Sequence, residues 1–383
     1  MKVFVHSATE CFTDHLPHGE GLIFYDYLQS LIAHGYQFDG YSANVALKKQ
    51  LVGASIETFK SSFPLKSLHR FDFGKRINQR FRDAVRAGAQ YDIVWRGNPF
   101  ESLCPVCPTT NGLPLVVGPI FLSWPSEKKA SRIPYRPSHL ASRLGARGWQ
   151  QTLQKADLIL STSLKLTESF RQRADISGRV ITIPVIIQRP ADIRAVVRCA
   201  KPTWRLSWVG RLSPEKYPMK AVQIIKQLVD RGHDVHLTMA GEGKLRQQIE
   251  SMIQQLDLTS SIQVLGAIPN QQVWKLHEEC DIHLSTSHDE PYGRAILESM
   301  CAGCVPVAHR SGGPKEFLSN PDEAVLVDSH TVSCYASAIE QLIDDEQRFL
   351  NMSGNATSAM NAYSSEQVGI RLNQEFQALG ERN

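Results

Sequence analysis

The sequence predicts an α/β protein made of two domains, each a parallel sheet covered by helices. Three observations carry that expectation. Apolar runs of strand length alternate with amphipathic runs of helix length along nearly all of the 383 residues, the rhythm of parallel sheets covered by helices. The length suits two domains of about 190 residues better than one. The rhythm breaks once, over 188–203, where Pro190 and Pro202 interrupt it, and then restarts. The expected division is therefore a first domain over 1–190, a linker over 191–203, a second domain over 204–363, and a closing helix over 364–383.

In the first half, strands are expected at 2–7, 91–95, 115–118, 157–161 and 180–184. A helix is expected over 21–33, with Ile23, Tyr27, Leu28 and Leu31 on one face. In the second half the strand-like runs are 205–209, 235–240, 262–265, 282–285, 305–308 and 324–327, each separated from the next by a helix-length stretch. The last helix has Ser364 and Ser365 as N-cap candidates and places Val368, Leu372, Phe376 and Leu379 on one face.

A hydrophobic share of 42% against 21% charged residues describes a globular chain with ample core. No run of 18 apolar residues occurs, so no membrane-spanning helix is expected. Met1-Lys2-Val3-Phe4-Val5 enters a strand at once and does not resemble a secretory signal. Eight cysteines are scattered through apolar contexts, which fits reduced thiols and a cytoplasmic location, in solution or at the inner face of the membrane. Two Cys-x2-Cys pairs, Cys104–Cys107 and Cys301–Cys304, have zinc-like spacing, but they lie almost two hundred residues apart, and no metal is expected there.

Charge is unevenly distributed. Residues 1–200 carry 26 Lys and Arg against 15 Asp and Glu, whereas residues 201–383 carry 16 against 23. A basic first half has reason to meet something anionic: a membrane surface, a phosphorylated acceptor or an acidic polymer. No nucleic-acid module is apparent, and nucleic acid is not an expected partner. Six of the positive charges fall at Lys128, Lys129, Arg132, Arg136, Arg143 and Arg147. That segment suits an anionic acceptor, an anionic lipid surface or plain solvation equally well.

The densest chemistry lies in Glu290-Pro291-Tyr292-Gly293-Arg294-Ala295-Ile296-Leu297-Glu298, between the strand at 282–285 and the strand at 305–308. A helix start gathers unpaired backbone N–H groups and the positive end of the helix dipole, where anions settle. Gly293 lets backbone approach a ligand closely. Glu290 is expected in the loop before the helix and Glu298 about two turns inside it. A phosphate cradle between two hydroxyl-binding carboxylates is what a nucleotide sugar needs. Upstream, Trp208-Val209-Gly210-Arg211-Leu212-Ser213-Pro214-Glu215-Lys216 closes the first strand of the second half. Two cations at the carboxyl end of a parallel strand suit a diphosphate.

Together these motifs resemble the retaining glycosyltransferases of family 4, and the resemblance implies the GT-B fold, two Rossmann-like domains facing each other across a cleft. The resemblance covers 204–363 well and the first half loosely. It implies a hexosyl transfer from a nucleoside diphosphate sugar, UDP- or GDP-linked, to a hydroxyl acceptor with retention of configuration. It assigns Arg211 and Lys216 to the diphosphate, Glu290 to the donor sugar and Glu298 to the ribose hydroxyls. It also turns the backbone of Tyr292, Gly293, Arg294 and Ala295 toward sugar and phosphate. Gly210 gives the sharp exit before the clamp, and Ile268 lies in the loop whose backbone pairs with the base. Gly241, in Ala240-Gly241-Glu242-Gly243, corresponds to a corner under the nucleotide, with ligand contact and plain turn equally open. The same alternatives stay open for Gly19 and Gly21 in the first long helix's corner, and for Ser311-Gly312-Gly313-Pro314-Lys315-Glu316. The acceptor would be a hydroxyl compound, with an anionic one, a lipid-linked one and a growing glycan all open, and the closing helix would cross back to the first domain.

No Asp-x-Asp metal motif accompanies the donor motifs, so the reaction is expected to need neither metal nor cofactor. One departure from the family pattern stands out. Its usual histidine at a strand tip of the first domain is missing: the corresponding stretches read Trp95-Arg96-Gly97-Asn98-Pro99 and Val117-Gly118-Pro119-Ile120. Arg96, Asn98 or a residue of the 118–124 loop is a candidate stand-in, and His15 and His18 in the first loop are alternatives. The missing residue keeps a non-catalytic GT-B subunit open, and the nearest enzyme alternative is a nucleotide-sugar epimerase of the same fold.

Overall fold

The computed structural model describes residues 1–7, 11–15, 19–59, 69–97, 106–120, 140–193, 203–290 and 292–381. They divide into two units. The first runs from Met1 to Ile186 and takes in the chain from Ser364 onward, and the second runs from Ile187 to Tyr363. This division precedes the expected linker at 191–203. Ile183, Val185, Ile186 and Ile187 are all buried, and an apolar run of that kind is held in a core. The Ile187 amide donates to the Tyr363 carbonyl at 2.9 Å within the second unit.

The first unit is built on seven parallel strands: β1 (Lys2–Ser7), β3 (Gln37–Ser42), β5 (Ala54–Thr58), β6 (Ile93–Arg96), β7 (Leu115–Ile120), β8 (Leu158–Ser161) and β9 (Arg179–Thr182). Their order is β5-β3-β1-β6-β7-β8-β9. A separate parallel pair joins β2 (Phe12–Thr13) to β4 (Val45–Ala46). Strands β3 and β5 were not foreseen. In β3 only alternate residues are buried, Gly40 interrupts the apolar rhythm, and Asp39 pairs with Lys2 of β1; β5 is a polar edge strand.

Helix α1 (Gly19–Ile32) covers the sheet, with Ile23, Tyr27, Leu28 and Leu31 buried as the spacing predicts. The helix Ser365–Gly380 belongs to this same unit. Ser364 caps it by accepting from the Gln367 amide at 3.2 Å, and Val368, Leu372, Phe376 and Leu379 are buried. Phe376 meets the Trp95 ring edge-on at 5.1 Å, and Phe24 meets the same indole at 4.8 Å. Burying aromatic side chains in this way stabilises by about 2–3 kcal/mol each.

The second unit has six parallel strands: β10 (Trp204–Val209), β11 (Val235–Ala240), β12 (Ile262–Gly266), β13 (Ile282–Ser285), β14 (Val305–His309) and β15 (Val325–Val327). They run in the order β12-β11-β10-β13-β14-β15, the 3-2-1-4-5-6 pattern of a doubly wound sheet. All six lie within two residues of the strands expected from the sequence. Trp204, Leu206, Leu237, Ile282, Val305 and Tyr335 share one buried core. Among the described residues, no helix is long and apolar enough to cross a membrane.

Candidate active site

In a doubly wound sheet, ligands bind outside the carboxyl ends of the strands where the order reverses. In the second unit that point lies between β10 and β13, and a cavity of about 250 Å³ occupies it. Gly210, Thr286, Lys216, Glu290, Gly293 and Arg294 are among the residues that line it.

Lys216 ends a single turn of 3-10 helix, Pro214–Lys216, that follows β10. Its ammonium lies 2.5 Å from Glu290 Oε2, and the Ser287 hydroxyl donates to the same oxygen at 2.8 Å. The Glu290 carbonyl accepts from the Gly313 amide at 2.8 Å, so the Ser311–Gly313 corner supports this loop through backbone. The helix after Glu290 spans Arg294–Cys301, with Gly293 left-handed at its N-cap (φ 79°). Only glycine adopts that conformation without strain. Glu298 is thus the fifth residue of the helix, little more than one turn inside rather than two. Its buried carboxylate accepts from Arg294 Nε at 2.8 Å, one helical turn back.

The other predicted residues are placed less directly. Arg211 does not line the cavity: its side chain is 74% exposed and pairs with Glu215 at 3.1 Å. Gly241 is held by packing, since a Cβ there would lie 1.8 Å from the Gly210 carbonyl oxygen. It sits behind Gly210, and that close approach accounts for a glycine at the corner. Ile268 packs against a small buried cluster containing Ala240, Leu276 and Cys304. Tyr292 meets the Phe317 ring at 5.9 Å, while Ala295 lines the cavity beside Arg294. In the first unit Gly19 opens α1, and Gly21 packs against the Cys11 carbonyl, where a Cβ would clash at 1.9 Å. His18, Asn98, Cys104 and residues 126–136 lie outside the described residues. Cys304 Sγ donates to the carbonyls of His277 and Cys280, and burial pushes the Cys301 thiol up to about 12. Both act as packed thiols. Among the described residues, no group of three His, Cys, Asp or Glu is placed to hold a metal ion.

The sequence reading missed the hydroxyl run at the end of β13 and the groups behind it. Thr286 Oγ1 accepts from Trp208 Nε1 at 2.8 Å and donates to the Lys216 carbonyl at 2.9 Å, tying β13 to the loop that bears Lys216. The Thr286 carbonyl accepts from His330 Nε2 at 2.8 Å, and the Lys220 ammonium donates to His330 Nδ1 at 2.6 Å. Burial first, then the Lys220 charge among its neighbours, lowers the His330 pKa to about 4, so the ring is neutral and both nitrogens are committed. The Ser285-Thr286-Ser287 run was visible in the sequence as hydroxyls between a strand and Glu290. His330 lies 44 residues from Thr286 and carried no local signal.

Residues 192–359 match the family model described as Glycosyl transferases group 1. Among curated proteins, the chain is 23% identical over 240 residues to a D-inositol 3-phosphate glycosyltransferase of Corynebacterium aurimucosum. The match covers 58% of this chain and 57% of that relative. It is 27% identical over 140 residues to a 2-deoxystreptamine glucosyltransferase of Streptomyces kanamyceticus, covering 37% and 36%. The chain thus spans little more than half the length of the first relative and about a third of the second.

Solved structures match over the whole length. A sucrose-phosphate synthase from Thermosynechococcus elongatus superposes with a TM-score of 0.71 at 17% identity, covering 100% of this chain and 99% of that one. The Anabaena protein HepE in complex with UDP gives 0.69 at 18%, covering 99% and 100%. Two parallel sheets of doubly wound order and these full-length likenesses establish the GT-B fold, and the second unit is the part of the chain that is similar to the glycosyl transferases of group 1.

Proposed function

We propose that the protein transfers a hexosyl group from a UDP- or GDP-linked sugar to a hydroxyl acceptor, with retention of configuration and without a metal ion. The observation that carries the reading is the cavity at the second sheet's switch point, where Lys216, Glu290 and the start of the Arg294–Cys301 helix converge. A diphosphate at that helix start would meet amide dipoles and the Lys216 ammonium, a preorganised positive field for the charge that develops on the leaving group. Arg211 has a long, exposed side chain free to join it by exchanging Glu215 for phosphate, a small loss because exposed ion pairs contribute little. On donor binding Lys216 would be shared between Glu290 and phosphate, leaving a Glu290 oxygen to accept from sugar hydroxyls. Glu298, already ionically paired, would hold the ribose hydroxyls.

The relatives' names support the substrate class: two act on compounds bearing hydroxyl groups, and HepE was solved with UDP. The test is a thermal-shift screen of UDP- and GDP-sugars, followed by transfer assays with a chelator present. A matched donor should raise Tm by mass action, and turnover should survive the chelator. Donor binding without hydrolysis or transfer to any acceptor pool would favour the non-catalytic reading. Turnover abolished by the chelator and restored by a divalent ion would overturn metal independence.

A further inference from the structure

The first sheet has a switch point of its own, between β1 and β6, where the strand order reverses. Arg96 is the last residue of β6, in register with Ser7 of β1 and Val117 of β7. Its side chain is completely buried. Nη1 donates to the Val106 carbonyl at 3.1 Å and to the Thr152 hydroxyl at 2.9 Å. Nε and Nη2 are buried without a hydrogen-bond partner. Among the described residues no carboxylate pairs with this guanidinium; its other neighbour is the Trp149 ring, 5.9 Å away.

The described neighbour of Arg96 on β1 supplies no negative charge. His6 is fully buried on β1, its Nε2 3.0 Å from Asn78 Oδ1. Burial, and after it the Arg96 charge, holds its pKa down to about 3, so it is neutral. A guanidinium does not give up its proton in a protein. Left uncompensated in an interior, such a charge costs several kcal/mol. The two unused donors, Nε–H and Nη2–H, form an edge of the group that can take two oxygens of a carboxylate or phosphate side by side.

We propose that Arg96 binds a small oxyanion, the carboxylate or phosphate of a substrate, at the switch point of the first sheet. Naming that substrate as the acceptor rests on the transferase reading above; the anion site itself does not. Complete burial suits a group of a few atoms and excludes the face of a bilayer or an acidic polymer. The geometry thus narrows the earlier choice among anionic partners to a small charged compound.

The test uses the whole chain, as wild type, Arg96→Met and Arg96→Lys, melted in chloride, inorganic phosphate or glucuronate at matched ionic strength. One of the two oxyanions should raise the wild-type Tm by about 3 °C or more over chloride, and the better of the two identifies phosphate or carboxylate as the group recognised. Arg96→Met should show no such shift. Arg96→Lys, which keeps the charge and loses the fork, should bind at least about tenfold more weakly. No anion-specific shift in the wild type, or an equal shift in Arg96→Met, overturns the proposal. Should Arg96→Met not fold, equal affinity in Arg96→Lys overturns it. UDP and GDP serve as the separate arm: the effect of the matched nucleotide on Tm should be the same in wild type and Arg96→Lys. Absence of any effect of either UDP or GDP on the wild type would sink the donor reading while leaving the oxyanion result to stand by itself.

Discussion

The two sheets repeat one strand order and treat charge at their switch points in opposite ways. At the second, Lys216 faces Glu290 and Arg294 faces Glu298, beside a cavity. At the first, Arg96 is sealed in and faces no carboxylate among the described residues. A doubly wound sheet therefore fixes where a ligand can sit and leaves open how the site is balanced without one. Paired charges keep the second site stable when empty, and a ligand there must exchange partners. The first site carries a charge that a ligand would neutralise.

Three experiments press on this contrast. Lys216→Met should have the largest effect. It removes the cation at the second site and leaves Glu290 with Ser287, and turnover should fall by about 100-fold or more. Stability should fall as well, by about 1–3 kcal/mol, because a partly buried carboxylate loses its partner. Adding Glu290→Gln should restore stability without restoring turnover. Urea titration and kcat measurements separate the two effects; turnover within twofold of wild type would make Lys216 purely structural.

Acid should affect both sites through buried histidines. His6 in the first unit and His283 on the wall of the second unit's cavity are both buried, and both have pKa values lowered from 6.5 to about 3. For His283 the cause is burial; for His6 burial comes first and Arg96 second. The unfolded chain takes up these protons first, so their contribution is complete above about pH 6.5 and is lost as pH falls toward 3. The slope is about 1.4 kcal/mol per pH unit for each histidine. Denaturation at pH 7 and pH 5 measures it, and His283→Asn should flatten it. An unchanged slope in that variant would show that His283 already carries its proton.

Arg211→Ala should have the smallest effect on stability, within about 0.5 kcal/mol, since its pair with Glu215 is solvated. Turnover should nevertheless fall further than for a neutral surface change. Equal rates would remove Arg211 from the diphosphate and leave Lys216 as the cation there.

Much of this fold could be read from periodicity, because every strand of the second unit is an apolar run between helices. What escaped did so for physical reasons. Strand β3 buries alternate residues and contains Gly40 and Asp39, so its apolar content is diluted. The Glu290–Glu298 spacing was visible, but the helix start was not, because it depends on Gly293 turning left-handed. The supports behind Thr286 come from Lys220 and His330, which only folding brings together. Arg96 stood in the sequence as one of several stand-ins for the family's missing histidine, with no role assigned. Its meaning lies in two N–H groups without partners, and partners are a property of three dimensions.

The Ser365–Gly380 helix has a consequence for biosynthesis. Phe376 covers Trp95 in the unit whose strands are made first, yet the ribosome adds Phe376 only after the whole second unit has been translated. The earlier-made sheet must therefore wait, with an indole face uncovered, while the later one already has all its strands. During that interval the nascent chain offers an aromatic surface to chaperones, and truncation before Ser365 would make the exposure permanent.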